Sequence, residues 1–346
     1  MHLRSLAAAF AAAVVAWPLV APEVRAETVE VTAKPISAFR TRSAETRFGA
    51  FDYVGGFEFS GRGVHSISSF RFRDGGSRFL SVNDEGHWFA GTIRRDEAGR
   101  PVGIAPAQLE PLLGADGQPL DGKVDADAES MAIDGNRVLV GFERHHRILA
   151  YADPAAPFAN RPAVLPLPLP RHELRINRGM ETIAVSPEGG ALNGAAVAIA
   201  ERSLDAKGNL FAAIFGGGAR GGVFTVRRDV DWDATDGAFL PDGDLLLLER
   251  RYTGFLGGLG MRIRRLPGAS IRPGALIDGP VILEADLSNE IDNMEGLDAW
   301  TDAGGETRIA LISDDNGSFL QRNVYLEFRL VADGGAAGAL SSGPAR

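Results

Sequence analysis

The chain of 346 residues contains no cysteine. Disulfides, thiolate zinc sites and iron–sulfur clusters are therefore excluded, and the fold must rest on its own core or on a metal. Lysine is nearly missing as well: Lys34, Lys123 and Lys207 are the only ones, and every other basic residue is arginine. Arginine suits bidentate contacts to carboxylate or phosphate; a codon bias would give the same composition. Basic residues are also outnumbered, 36 against 45 acidic ones for a net charge of −9. That balance argues against a general nucleic-acid binder or an anionic-membrane binder. Beyond the first 20 residues no apolar run approaches the ~20 residues of a membrane span. Several catalytic signatures are absent too. There is no G-x-S-x-G elbow and no H-E-x-x-H, and the glycine-rich stretch Gly216 to Gly222 lacks the Lys-Ser/Thr ending of a phosphate loop.

The N-terminus has a processing signal. Arg4 precedes an alanine-rich apolar run from Leu6 to Val20, and Val24-Arg25-Ala26 gives a small-x-small site before Glu27. This pattern predicts a signal peptide over residues 1–26, cut after Ala26, and a periplasmic or secreted protein. An uncleaved anchor is the other reading. The remainder divides into a single domain over 27–335 and a flexible tail over 336–346.

What the chain does contain is a repeat. Ser68-Ser69-Phe70-Arg71-Phe72, Glu129-Ser130-Met131, Glu181-Thr182-Ile183, Asp236-Gly237-Ala238 and Glu295-Gly296-Leu297 open five similar units, spaced by 61, 52, 55 and 59 residues. Each is followed by a turn and a second apolar run ending on an acid: Asp84, Glu143, Glu201, Glu249 and Asp314. In the unit at Asp236, Pro241-Asp242-Gly243-Asp244 has the Pro and Gly of a tight turn, and Leu245 to Leu248 reads as a strand covered on both faces. Two further runs complete each unit. Pro166, Pro168 and Pro170 interrupt one fourth strand, as expected of an outer edge. Long runs with helical spacing are absent after the leader.

Four antiparallel strands repeated every 50 to 60 residues predict an all-β fold, a β-propeller. Five units are counted. The last lacks its own fourth strand, and Tyr53 to Phe59 is placed to supply it and join the chain ends. Residues 27–50 leave room for a further strand or for part of a sixth blade.

Hairpin geometry makes the acids a spatial expectation. The start of a first strand lies beside the end of the second. Glu129 should approach Glu143, Glu181 should approach Glu201, Asp236 should approach Glu249, and Glu295 should approach Asp314. All would gather at one mouth of the central channel. So many carboxylates need raised pKa values, arginine partners or a cation. Asp84, Glu129, Glu181, Asp236, Glu295 and Asp314 are the candidate metal ligands, and hard oxygen donors favour calcium or magnesium. Arg144, Arg202 and Arg250 follow an acid in three units and are candidates to hold an anionic substrate. As neighbours in a strand point to opposite faces, each is expected to pair with an adjacent blade. His65 and His145 fall on the same rim as candidate proton carriers, with Glu181 as a third catalytic candidate. Acids that lock one blade to the next would recur in the same way, so a structural role competes with a site.

Four stretches resemble the phytase-like propeller family, also described as having esterase-like activity. They are Gly55-Gly56-Phe57-Glu58-Phe59; Ser68-Ser69-Phe70 with Phe79 to Gly86; Asp127-Ala128-Glu129-Ser130-Met131; and Asn293-Met294-Glu295-Gly296-Leu297. Ser68-Ser69-Phe70 stands where members read Ser-Gly-Leu, and Met180-Glu181-Thr182 departs from the usual Glu-Gly. The resemblance implies an exported hydrolase of phosphate or other esters, with calcium as the cation. The expectation is a monomer acting on a small-molecule ester. The competing expectation is a non-catalytic propeller that binds a small molecule or a protein, with structural acids.

Overall fold

In the computed structural model, residues 27–175, 178–254 and 258–331 are described. The expected leader (1–26) and the whole of the expected tail (336–346) lie outside them. Among the described residues the longest helical segment is Lys123–Ala126, and no helix is long and apolar enough to cross a membrane. The strands form five blades, antiparallel except where Leu276–Ile277 pairs in parallel with Gly222–Val226.

Blade one runs Ile67–Phe72, Arg78–Asn83, His87–Arg95, Pro101–Pro111 from the channel outwards. Blade two is Ala128–Asp134, Arg137–Phe142, Arg147–Ala152, Ala163–Leu165. Its outer strand stops just before Pro166, where the run of prolines begins and the ladder loses donors. Blade three is Met180–Val185, Ala196–Leu204, Leu210–Phe215, Gly222–Val226, and blade four is Asp233–Phe239, Leu245–Tyr252, Leu259–Leu266, Val281–Asp286. Blade five contains Asn293–Thr301, Thr307–Asp314 and Asn323–Leu330, and its third strand pairs antiparallel with Phe51–Gly61 from the other end of the chain. Val31–Ile36 adds a further strand outside Phe51–Gly61, and Glu27–Thr28 pairs with the outer strand of blade one. Residues 27–50 thus extend existing blades, and no sixth blade exists among the described residues.

The alternating faces of the strands explain why the inner runs are apolar throughout. Leu245 and Leu247 pack towards blade three with Val197, Ile199 and Ile214. Leu246 and Leu248 point the other way, against Leu297, Ile309 and Leu311 of blade five. Each of the five hydrophobic clusters fills one gap between neighbouring blades. A side chain on either face of a middle strand is therefore covered by an adjacent sheet.

The inner strands pack side by side in a ring, and one ion pair bridges its centre. Arg71 of blade one and Asp236 of blade four are buried and joined by two bonds of 2.7 Å. The same guanidinium donates to the carbonyls of Phe70, Ile183, Gly237 and Leu297, so it touches four of the five blades. Asp236 in turn accepts the Leu297 N–H at 2.9 Å and the Gly237 N–H at 2.8 Å. Burial pushes the Asp236 carboxyl up while the Arg71 charge and bonds hold it down.

Removing one partner of such a pair strands the other in the core. Arg71→Met should therefore lower the unfolding free energy by about 3–5 kcal/mol in a urea titration. Arg71→Met with Asp236→Leu should cost clearly less than the sum of the single changes. Strict additivity in that double-mutant cycle would show that the pair is not coupled.

Candidate functional site

The mouth is built by a defect repeated in every blade. In blade one the inner strand pairs Ile67 with Asn83 and then Ser69 with Val82, so Ser68 is left over. In the same way Glu129 is skipped in blade two, Glu181 in blade three, Thr235 in blade four and Glu295 in blade five. A β-bulge leaves one residue unpaired and re-aims its side chain. Here all five bulge residues line a single cavity of about 190 Å³. On each second strand the residue after the partner of the pre-bulge residue lines it too: Asp84, Glu143, Glu201, Arg250 and Asp314.

This register corrects the sequence alignment of the fourth unit by one residue. Thr235, not Asp236, is the counterpart of Glu129, and Arg250, not Glu249, is the counterpart of Glu143. The bulge inserts a residue, so alternation along the strand resets and the next residue points elsewhere. Asp236 belongs to the central ion pair and does not line the cavity. Glu249 is buried against the third strand of its own blade, where Arg262 Nε and Arg264 Nη2 each reach it at 2.7 Å.

The mouth gathers five of the six expected metal ligands: Asp84, Glu129, Glu181, Glu295 and Asp314. Within it, two triads bring carboxylate oxygens within 4.8 Å of one another. Asp84, Asp127 and Glu129 form one, and Glu143, Glu181 and Glu201 form the other. Their surroundings differ. Lys123 Nζ sits 2.5 Å from Asp84 and 2.6 Å from Asp127, and Arg144 Nε is 2.8 Å from Asp127. The first triad thus already has cations of its own. In the second, Glu143 accepts the Gly179 N–H at 2.5 Å. Among the described residues the only ion-pair contact to this triad is Arg178 to Glu201 at 3.9 Å. Gly179 must be glycine for that approach, because a Cβ there would lie 2.7 Å from His146 Cε1.

The arginines are committed. Arg144 pairs with Asp127 of its own blade, Arg202 with Asp233 of the next blade, and Arg250 with Glu295 and Asn293 of the next. The neighbour-blade expectation therefore holds for Arg202 and Arg250 and fails for Arg144. Of the three only Arg250 lines the cavity. Neither expected histidine lines it. His145 is exposed and lies 3.0 Å from Asp125, and His65 sits beside Ser66 and Glu85. Sequence reasoning passed over Asp127 and Lys123 as parts of the site, and no periodic signal marks them, since both lie in the loop before a strand.

Crowding governs the charges. Glu181 is held well above the usual carboxylate range by burial, then by Glu129, Glu143, Glu201 and Glu295. Burial and the charges of Asp127, Glu143 and Asp84 do the same to Glu129. Glu201, Glu295 and Asp314 are each pushed up to about 7, chiefly by burial. For Glu201 the Asp233 charge adds to the rise, while Arg250, Arg178 and Arg202 oppose it. Glu143 is raised by burial and restrained by the Gly179 N–H.

Fold and mouth together define a five-bladed propeller with an acid-lined channel entrance. The chain matches the family described as "Phytase-like: Esterase-like activity of phytase" over residues 62–317. It belongs to that phytase-like family. No curated protein sequence matches it. Among solved structures it is similar to an endo-arabinase from Bacteroides thetaiotaomicron, with 10% identity and a TM-score of 0.45, covering 76% of this chain and 93% of that one. A PQQ-bound aldose sugar dehydrogenase from Streptomyces coelicolor gives 12% identity and 0.42, covering 87% and 98%. A gluconolactonase from Xanthomonas campestris gives 12% and 0.38, covering 89% of each chain. Similarity at this level does not transfer an activity.

Acids whose folded pKa is raised bind more protons in the native than in the unfolded state once pH exceeds the unfolded value. Stability is then lost as pH rises towards the folded pKa. With chelator present, the melting temperature should fall from about pH 5 to about pH 8. His146, lowered by burial, opposes this as a single group. Glu181→Gln should flatten the slope, and a melting temperature that rises over this window in both proteins would contradict the charge assignment.

Proposed function

We propose that the protein is an exported, metal-dependent hydrolase of phosphate or other esters, with a divalent cation, calcium first, at Glu143, Glu181 and Glu201. One observation carries this reading: three carboxylates converge at the mouth with no basic side chain seated between them. Oxygens up to 4.8 Å apart fit one ion bound at roughly 2.3–2.6 Å from each. Such an ion supplies Lewis-acid polarisation of an ester oxygen and a more acidic water.

The chain's own residues supply the rest. Asp314, which lies outside the triad and is pushed up to about 7 chiefly by burial, takes or returns a proton at a carboxylate oxygen in this reading, the task assigned by sequence to His65 and His145. Arg250, fixed by Glu295 and Asn293, presents a positive group to the cavity and orients an ester oxygen. Glu181 stands at a bulge of an inner strand, and Glu201, Arg250 and Asp314 stand on second strands rather than on loops, which makes their spacing rigid.

Calcium added after chelation should raise the melting temperature, because an ion bound only by the native state stabilises it. Glu181→Gln should weaken that shift and cut kcat/KM on a model ester by about 100-fold or more. The reading fails if calcium, magnesium, manganese and zinc all leave the melting temperature unchanged. A cation-dependent shift without turnover of any ester would instead support a binding propeller.

A further inference from the structure

The cavity carries seven carboxylates and one basic side chain, Arg250, which is already bonded to Glu295 and Asn293. Lys123, Arg144 and Arg202 beside it are bound to Asp84, Asp127 and Asp233. One divalent ion would neutralise only part of this set. A ligand with several phosphates would bring more negative charge to a lining where, among the described residues, seven carboxylates face a single arginine. Like charges brought together at a binding surface cost several kcal/mol and reject such partners.

The rim offers something else. The loop that follows Asp314 gives Asn316 to the cavity and then exposes Phe319 and Leu320, which are 95% and 76% accessible. Phe319 lies three residues and Leu320 four residues beyond Asn316, at most about 11 Å and about 14 Å of chain, so this pair stands close to the cavity wall. Tyr252, also exposed, follows Arg250 by two residues on the neighbouring blade. Two adjacent large apolar side chains held in water at the edge of a polar cavity form a contact surface for an apolar group.

We infer that the site takes an amphiphilic ester with at most one anionic group, its head at Glu143, Glu181 and Glu201 and its apolar tail across Phe319 and Leu320. The inference rests on the reading of this mouth as an ester site. It sets apart a singly charged or neutral ester from inositol polyphosphates, which the family's description brings to mind. The ligand is a dissolved amphiphile, not a bilayer.

Calorimetric titration of the calcium-loaded protein, dialysed free of excess ion, tests this with three probes. Octylphosphonate should bind on the order of tenfold tighter than methylphosphonate, since part of the chain leaves water. Inositol hexakisphosphate should show no binding. In the double variant Phe319→Ser, Leu320→Ser the octyl-to-methyl ratio should fall towards one; both positions are exposed, so the fold is retained. The inference is overturned if the two phosphonates bind alike, if the hexakisphosphate binds best, if no probe binds, or if the variant keeps the ratio. Co-sedimentation with phosphatidylglycerol vesicles that the variant loses, without an octyl preference, would assign the loop to a membrane surface and also overturn it. These readouts are independent of turnover. A hydrolase reading that fails shows as no ester cleaved while the binding order persists.

Discussion

The structure depends on how a ring of five sheets fills its own centre. The inner strands turn the carbonyls of Phe70, Ile183, Gly237 and Leu297 towards the buried centre of the ring, where each needs a donor. Arg71 resolves this by reaching across to Asp236 and to carbonyls of three other blades. Planar, multiply donating and permanently charged, the guanidinium can satisfy several acceptors at once, which an ammonium could not do in one plane. The pair divides the channel. Above it lies the acidic mouth; below it a smaller hollow is lined by Arg71, Phe72 and Asp298. The mouth is consequently a closed-bottomed cup and not part of a pore.

On that floor the chemistry is arranged by the bulges. A regular ladder would send Glu129, Glu181 and Glu295 into the gaps between blades, where the apolar clusters lie. The extra residue in each inner strand turns those side chains to the mouth while the pairing beneath continues. The repeat thus makes the site five times over, and variation at single positions tunes it. Ser68 and Thr235 leave space, and Arg250 supplies the one positive group.

Charge balance then separates structural acids from candidate ligands. Asp127, Asp233, Asp236 and Glu249 each have a cation or several in contact. Among the described residues Glu143 and Glu181 have none, and Glu201 has only Arg178 at 3.9 Å. The competing view of the repeated acids, as locks between blades, is right for Arg202–Asp233 and for the Arg71–Asp236 bridge, and it does not describe this triad. Burial raises the pKa of all three, and for Glu181 the neighbouring carboxylates add to the rise, so that their ionised forms gain from a cation at this point.

Sequence alone determined the propeller: the spacing of the units, the turns such as Pro241-Asp242-Gly243-Asp244, the doubly covered run Leu245 to Leu248, and the proline-broken edge at Pro166. These are local or periodic properties, and backbone geometry translates them directly into strands. It also located the mouth, since hairpin pairing alone places Glu129, Glu181, Glu295, Asp84 and Asp314 at one end. Tertiary structure decided which carboxylates are free. Whether Asp236 or Thr235 faces the cavity turns on a one-residue bulge that leaves no mark on apolar periodicity. Whether Arg144 or Arg250 reaches the cavity, and whether Lys123 fills a triad, depends on partners far apart in the chain. Ion pairing follows three-dimensional distance, and a repeat fixes distance only to within the one residue that a bulge adds.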